Sequence, residues 1–271
     1  VPEQPRLAYQ VHEHHPVGSQ GESSRPYLLL LHGFLSSAAQ WMLNLDALSQ
    51  VCIPVTAELW GHGASPTPAD EAAYHPERYV TELEHIRAEI GCDRWFVCGY
   101  SIGAGITIRY AHTYPDRVFG HIFTNTNSAL ASNAVMEKWR VGAPESAAKI
   151  RQGGLAEIER IPVHPKFAKR LPSPVYDALR EDAQKLDPRA IANGLLVTNP
   201  HASIRDLAST NPRPALLCFG IREKRFHAAK TWAQEHMANL KIVDLEAGHG
   251  VNMEDPEVFD HHVCAFVLDH A

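Results

Sequence analysis

Apolar residues follow two spacings that alternate through the first half of the chain. Tyr27–Leu31, Cys52–Glu58, Trp95–Tyr100 and Val118–Thr124 are short, nearly continuous apolar runs, which predicts strands buried on both faces. Between them, Ala38–Leu48, Glu77–Ile90 and Ile102–Thr113 carry helical spacing. In the second of these, Pro76 suits the first helical turn, and Tyr79, Val80, Leu83, Ile86 and Ile90 recur on one face. Buried strands alternating with helices imply a parallel sheet covered on both sides, an α/β architecture. From Ser128 to about Leu207 the pattern is almost purely helical, punctuated at Gly153-Gly154, Pro162, Pro165, Pro172, Pro174 and Pro188. Strand-like runs return at Ala215–Phe219 and Lys241–Leu245. A closing helix follows, with Val258, Phe259, Val263, Phe266 and Val267 on its inner face. The expected organisation is one α/β core, residues 1–127 and 208–271, interrupted by a helical cap at 128–207. Pro16–Arg25 reads as a polar loop.

Composition narrows the function classes. A chain of 271 residues with 45% hydrophobic and 21% charged content can bury a sizeable core. A net charge of −6 gives no support for nucleic acid as the main partner, so a small-molecule substrate is expected. No apolar run approaches the ~20 residues of a membrane span, and no leader pattern is visible at the start. The five cysteines are scattered, without a CxxC pair, and read as buried reduced thiols of a cytoplasmic protein.

Gly99-Tyr100-Ser101-Ile102-Gly103 joins a predicted strand to a predicted helix. In that context G-x-S-x-G places a serine on a tight, strained turn with its hydroxyl clear of the sheet. The helix then offers N-terminal amides where negative charge develops. Ser101 is therefore the candidate nucleophile. Gly105 is expected to let this helix pack closely on a neighbouring strand.

A serine needs a base and an acid. His249 lies in Leu245-Glu246-Ala247-Gly248-His249-Gly250, after the last predicted strand. It is one of 17 histidines, but it falls late in the chain, as the order Ser, Asp/Glu, His requires. The acid belongs after the penultimate strand, where Glu223 is the only carboxylate of Gly220–Phe226. The alternative there is a surface glutamate paired with Arg222 or Lys224. Asn125-Thr126-Asn127-Ser128, at the end of another strand, holds no carboxylate.

These sites, with two further motifs, resemble the α/β-hydrolase superfamily over essentially the whole chain. Leu31-His32-Gly33-Phe34 is similar to the family's His-Gly oxyanion loop, and Glu58-Leu59-Trp60-Gly61-His62-Gly63-Ala64-Ser65 to its D-x-x-G-x-G-x-S turn. Glu58 stands where aspartate is usual, Ala104 where many relatives carry a second glycine, and Glu223 where most carry aspartate. The resemblance implies an eight-stranded, mostly parallel sheet. It also implies an oxyanion hole made by the backbone N–H groups of Phe34 and Ile102. With Pro-Asp-Arg-Val at 115–118, the pattern resembles the small microbial esterase, lactonase and C–C hydrolase branch.

Hydrolysis of a small to medium ester or lactone through an acyl-enzyme is the leading expectation, with no cofactor and no metal. C–C bond hydrolases and menaquinone-pathway lyases use the same residue set. Ser101 argues against haloalkane dehalogenases and epoxide hydrolases, which need an aspartate nucleophile. A cofactor-free dioxygenase and a non-catalytic receptor of the same fold are the remaining alternatives. His12-Glu13-His14-His15 invites a metal, but reads better as a strand end running into a loop. Trp139, Phe167, Tyr176 and Leu195 are candidate pocket residues that fit cap core better, and Trp41 and Trp60 are further candidates near the oxyanion side.

Overall fold

A computed structural model describes residues 5–13, 25–208 and 210–271. Among these, seven strands form one sheet, where the resemblance implies eight. They are β1 (Tyr9–Val11), β2 (Tyr27–Leu31), β3 (Ile53–Ala57), β4 (Trp95–Gly99), β5 (Val118–Thr124), β6 (Ala215–Gly220) and β7 (Leu240–Leu245). Their order across the sheet is β1-β3-β2-β4-β5-β6-β7, with only the β1–β3 pair antiparallel. This is the mostly parallel α/β-hydrolase architecture.

Alternation along each strand explains the continuous apolar runs. Leu29, Leu31, Trp95 and Val97 face one side, where they pack on helices Pro76–Glu89 and Ile102–Thr113 through Leu83, Ile86, Ile106 and Tyr110. Leu28, Leu30, Phe96 and Cys98 face the other side. There they meet Trp41, Leu48 and the closing helix Pro256–His270 through Phe259, Val263, Phe266 and Val267. Val258 is the exception to the expected inner face, since it is 39% exposed and Asp260 is turned inward instead. Four of the five cysteines are buried, and none is bridged.

The predicted helix Ala38–Leu48 is split into a 3₁₀ turn, Ala38–Trp41, and a short helix, Leu45–Leu48. The break has a polar cause: Gln40 and Asn44 both turn into the interior and are fully buried. Between β5 and β6 the described chain is wholly helical or turn, led by Asn133–Gly153 and Ser173–Ala183. Gly105 packs against the two ends of that segment, not against a strand. A Cβ there would lie 2.6 Å from the Ala202 carbonyl oxygen and 3.6 Å from Ala129.

The strand order also locates a ligand site. From β2 the chain turns to β3 on one side, then crosses to β4 on the other, which leaves a crevice above the carboxyl ends of β2 and β4. Leu31 and Gly99 are register partners there. The loop after β2 and the turn carrying Ser101 therefore stand side by side.

Phe259 is fully buried against Trp41, with ring centroids 6.3 Å apart. Phe259→Ala should cost about 3–5 kcal/mol, read as a lowered urea midpoint with an unchanged slope.

Candidate active site

Ser101 adopts φ 55° and ψ −115° at the joint between β4 and helix Ile102–Thr113. A non-glycine residue rarely holds such a backbone unless its surroundings enforce it. They do so here by close approach. A Cβ on Gly103 would sit 2.5 Å from the His32 carbonyl oxygen, and one on Gly99 would lie 2.5 Å from that of Gly103. The Tyr100 N–H donates to Leu31 O at 3.0 Å, which locks the turn onto the end of β2.

The loop after β2 is held from several directions. Gln40 Oε1 accepts from the Gly33 N–H at 3.2 Å and from Ser36 Oγ at 2.9 Å. His62 Nε2 accepts from the Leu35 N–H at 3.2 Å. Ser37 Oγ donates to Asp182 Oδ2 at 2.7 Å, which ties the loop to helix Ser173–Ala183. Glu58 Oε1 accepts from the Ala38 N–H at 3.0 Å, and its other oxygen lies 2.8 Å from His32 Nε2. The His32 imidazole and these contacts keep the Glu58 carboxyl below the usual carboxylate range, against the opposing effect of burial. The neighbouring amides of Gly33 and Leu35 are thus occupied, and the Phe34 N–H between them has no acceptor among the described residues.

His249 approaches from the far edge of the sheet. Its ring stacks on Phe226 (4.8 Å, interplanar 10°) and lies 4.9 Å from that of Tyr100. Three successive amides of its loop are taken by carboxylates. Glu254 Oε2 accepts from Gly248 N–H at 2.9 Å, Glu223 Oε1 from His249 N–H at 3.2 Å, and Glu254 Oε1 from Gly250 N–H at 3.3 Å. Burial, with a smaller push from Arg225, lowers the His249 imidazole to about 3. The His249 imidazole is therefore neutral in the folded protein near neutral pH. Among the described residues no hydrogen bond joins His249 to Ser101, and the buried Nδ1 of His249 has no partner.

Glu223 thus stands beside His249 but bonds its main chain, not its ring. Its other oxygen accepts from Arg225 Nε at 2.6 Å, and Arg170 lies 3.9 Å away. The partners expected for a surface glutamate, Arg222 and Lys224, do not hold it. Arg222 faces Glu246 at 3.8 Å.

Two clefts meet at Ser101. The first, about 850 Å³ with its mouth, is bordered by Phe34, Ser101, Glu223, Arg225, His249 and Arg170. The second, about 710 Å³, shares Phe34, Ser101, Arg225 and His249 and adds Ile102, Trp139 and Leu195. All five residues singled out in the sequence therefore line these two clefts: Ser101, His249 and Phe34 both of them, Glu223 the first and Ile102 the second. Of the aromatic candidates, Phe167 lines the first cleft and Trp139 the second, while Tyr176 packs beside the core under the sheet. Trp41 is core, and Trp60 is buried against Tyr79 with its indole N–H on Ala73 O at 3.1 Å.

His14 and His15 lie outside the described residues. His12 Nε2 is 3.0 Å from Thr56 Oγ1. No group of three or more metal-ligating side chains occurs among the described residues.

The sequence model of the alpha/beta hydrolase family matches residues 28–261. The chain belongs to that family. It is 24% identical, over 93% of both chains, to the putative 2-succinyl-6-hydroxy-2,4-cyclohexadiene-1-carboxylate synthase of Bacillus subtilis (strain 168). Among solved structures it is similar to MenH from S. aureus, with a TM-score of 0.82, 20% identity, and 97% and 98% of the two chains covered. It is also similar to the enol-lactonase from Burkholderia xenovorans LB400, with a TM-score of 0.79, 20% identity, and 97% and 96% covered. These relatives are enzymes of the hydrolase and lyase branch. No helix of the described residues is long and apolar enough to cross a membrane.

Sequence reasoning passed over Glu254, Arg225, Gln40 and His62. Nothing in local spacing marks them, because each acts on a loop brought near only by folding.

Burial lowers His62, His121 and His249 from 6.5 to about 3, so all three are neutral in the folded protein. The unfolded chain binds these protons first, and stability falls as the pH drops from 6.5 towards 3. Neither ring nitrogen of His121 has a hydrogen-bond partner among the described residues. His121→Leu should flatten the stability slope between pH 6 and 4 by about 1.4 kcal/mol per pH unit, measured by urea unfolding.

Proposed function

We propose that this protein is a serine hydrolase that cleaves a small to medium carboxylic ester or lactone through an acyl-enzyme. The observation that carries the reading is Ser101 itself. Its strained elbow stands between a loop with a free amide and a histidine held neutral by burial. In this mechanism Ser101 Oγ attacks the carbonyl carbon and His249 takes the hydroxyl proton. The N–H groups of Phe34 and Ile102 receive the developing oxyanion. His249 then protonates the leaving oxygen, and water repeats the cycle on the acyl-enzyme.

Glu223 is the proposed acid of the triad. It anchors the main chain of His249 in the resting state, and its charge stands ready for the imidazolium that forms. The segment 128–207 acts as a cap over the crevice, with Trp139, Leu195 and Phe167 supplying apolar walls. Neither metal nor organic cofactor enters these steps. Cysteines without a disulfide, four of them buried, fit a cytoplasmic protein.

One observation favours a second reading. The guanidinium groups of Arg170 and Arg225 border the first cleft, and although both face Glu223, at 3.9 and 2.6 Å, each has further N–H donors to offer. A carboxylate-bearing substrate fits that wall, and C–C hydrolysis or a lyase step at the same serine would use it.

A fluorophosphonate probe should label the wild type and leave Ser101→Ala unlabelled. Hydrolysis of p-nitrophenyl esters should fall by at least about 10³-fold in that variant. Folded wild-type protein that takes no label would defeat the serine reading. Labelling with no turnover of any ester would move the assignment to the C–C hydrolase or lyase.

The acid limb of kcat/KM should lie below pH 6.5, because the folded state holds His249 well under that value. The Arg225 cation contributes to that depression, so Arg225→Ala should move the limb to higher pH. A limb that stays in place would remove Arg225 from the account.

A further inference from the structure

The two loops that must cooperate in the proposed chemistry come from strands that do not touch. β2 and β7 are separated by β4, β5 and β6, or about 19 Å at the usual spacing of ~4.8 Å per strand. The sheet ladder cannot by itself set one loop against the other at the precision that catalysis needs.

Buried amides cross that gap. Beginning at the loop after β2, Gln40 Oε1 accepts from Gly33 N–H, and the Gln40 carbonyl accepts from Asn252 Nδ2 at 2.8 Å. Asn252, in the short helix Val251–Glu254 that follows His249, also donates to Asn44 Oδ1 at 3.0 Å. Asn44 Nδ2 returns a bond to the Asn252 carbonyl at 3.0 Å and donates to Asp260 Oδ1 at 2.9 Å. Gln40, Asn44 and Asn252 are completely buried, and Asp260 is 7% exposed. Buried polar side chains are expensive unless bonded to one another, and the bonds that they make here restrict them to few geometries. Gln40 Nε2 and Asn252 Oδ1 have no partner among the described residues, so the network holds its loops through the five bonds named. One end of the chain of bonds lands on Gly33, next to the Phe34 amide. The other lands on Asn252, in the short helix that directly follows the His249 loop.

We infer that Gln40, Asn44 and Asn252, anchored on Asp260, are positioning residues that hold the oxyanion loop and the histidine loop in one register. The inference rests on the hydrolase reading for its catalytic consequence, but the coupling between the loops stands independently of it. None of the four touches the substrate clefts, so they act through Phe34 and His249.

Two measurements test it. In hydrogen exchange read by mass spectrometry, Asn252→Ala should speed exchange of the peptide covering residues 33–40. Gln40→Met should do the same for the peptide covering 247–254, each by about 10-fold or more. Substitutions that loosen only their own loop would overturn the coupling, whatever the protein's activity. In ester hydrolysis, each variant should lose on the order of 10–100-fold in kcat with KM within about twofold. The double variant should lose clearly less than the product of the two. Losses that multiply, or a fall in melting temperature with kcat intact, would reduce the network to a structural role. Asp260→Asn keeps an acceptor for Asn44 and should stay within about threefold of wild type. Where Asn252→Ala fails to fold, Asn44→Ser takes its place with the same readouts. A wild type inert to esters and to the fluorophosphonate defeats the hydrolase reading alone, since the exchange experiment still decides the coupling.

Discussion

A serine held at φ 55° and ψ −115° is the constraint around which this molecule is organised. Such a backbone costs of order 1–3 kcal/mol and persists only where neighbours leave no alternative. The neighbours are main-chain atoms: the end of β2 on one side and the first turn of the following helix on the other. Their approach in turn requires two parallel strands in register, Leu31 beside Gly99, with strictly apolar packing beneath both. The strain at one residue is thus supported by the whole central sheet.

Around that point the charges are arranged with little freedom. Glu223 and Glu254 take the amides of the histidine loop, Glu58 takes an amide of the opposite loop, and each carboxylate is fixed by main-chain donors. This matters for His249, the proposed base, whose imidazole is pushed down by burial. In the proposed chemistry, carboxylates bound to its own loop would offset the charge of the imidazolium without having to move, and preorganisation of that kind avoids a reorganisation penalty. Arg225 opposes them, and its pairing with Glu223 moderates the opposition.

Much of this was legible before the structure. The elbow Gly99–Gly103, the apolar runs of β2, β4 and β5 and the helix Ile102–Thr113 are local patterns, and folding kept their bounds to within a residue. The split of Ala38–Leu48 was not legible, because helical spacing does not reveal that Gln40 and Asn44 find partners inside. Val258 was misplaced for the same reason: a periodic face shows which residues can be buried, and packing selects among them. The bond from Glu223 to the main chain of His249 was beyond reach as well, since it joins residues 26 positions apart.

The sequence by itself determined the alternation of buried strands and helices, the serine joint and the chain order of Ser101, Glu223 and His249, the proposed nucleophile, acid and base. Those follow from covalent neighbours and short-range periodicity. Tertiary structure alone decided that residues near 40 and near 252 meet, that the two glutamates flank one histidine, and that two clefts join at Ser101. The physical reason is distance along the chain. A hydrogen bond between residues 212 positions apart leaves no local pattern, and only the packing of the sheet against its helices brings the two ends within reach.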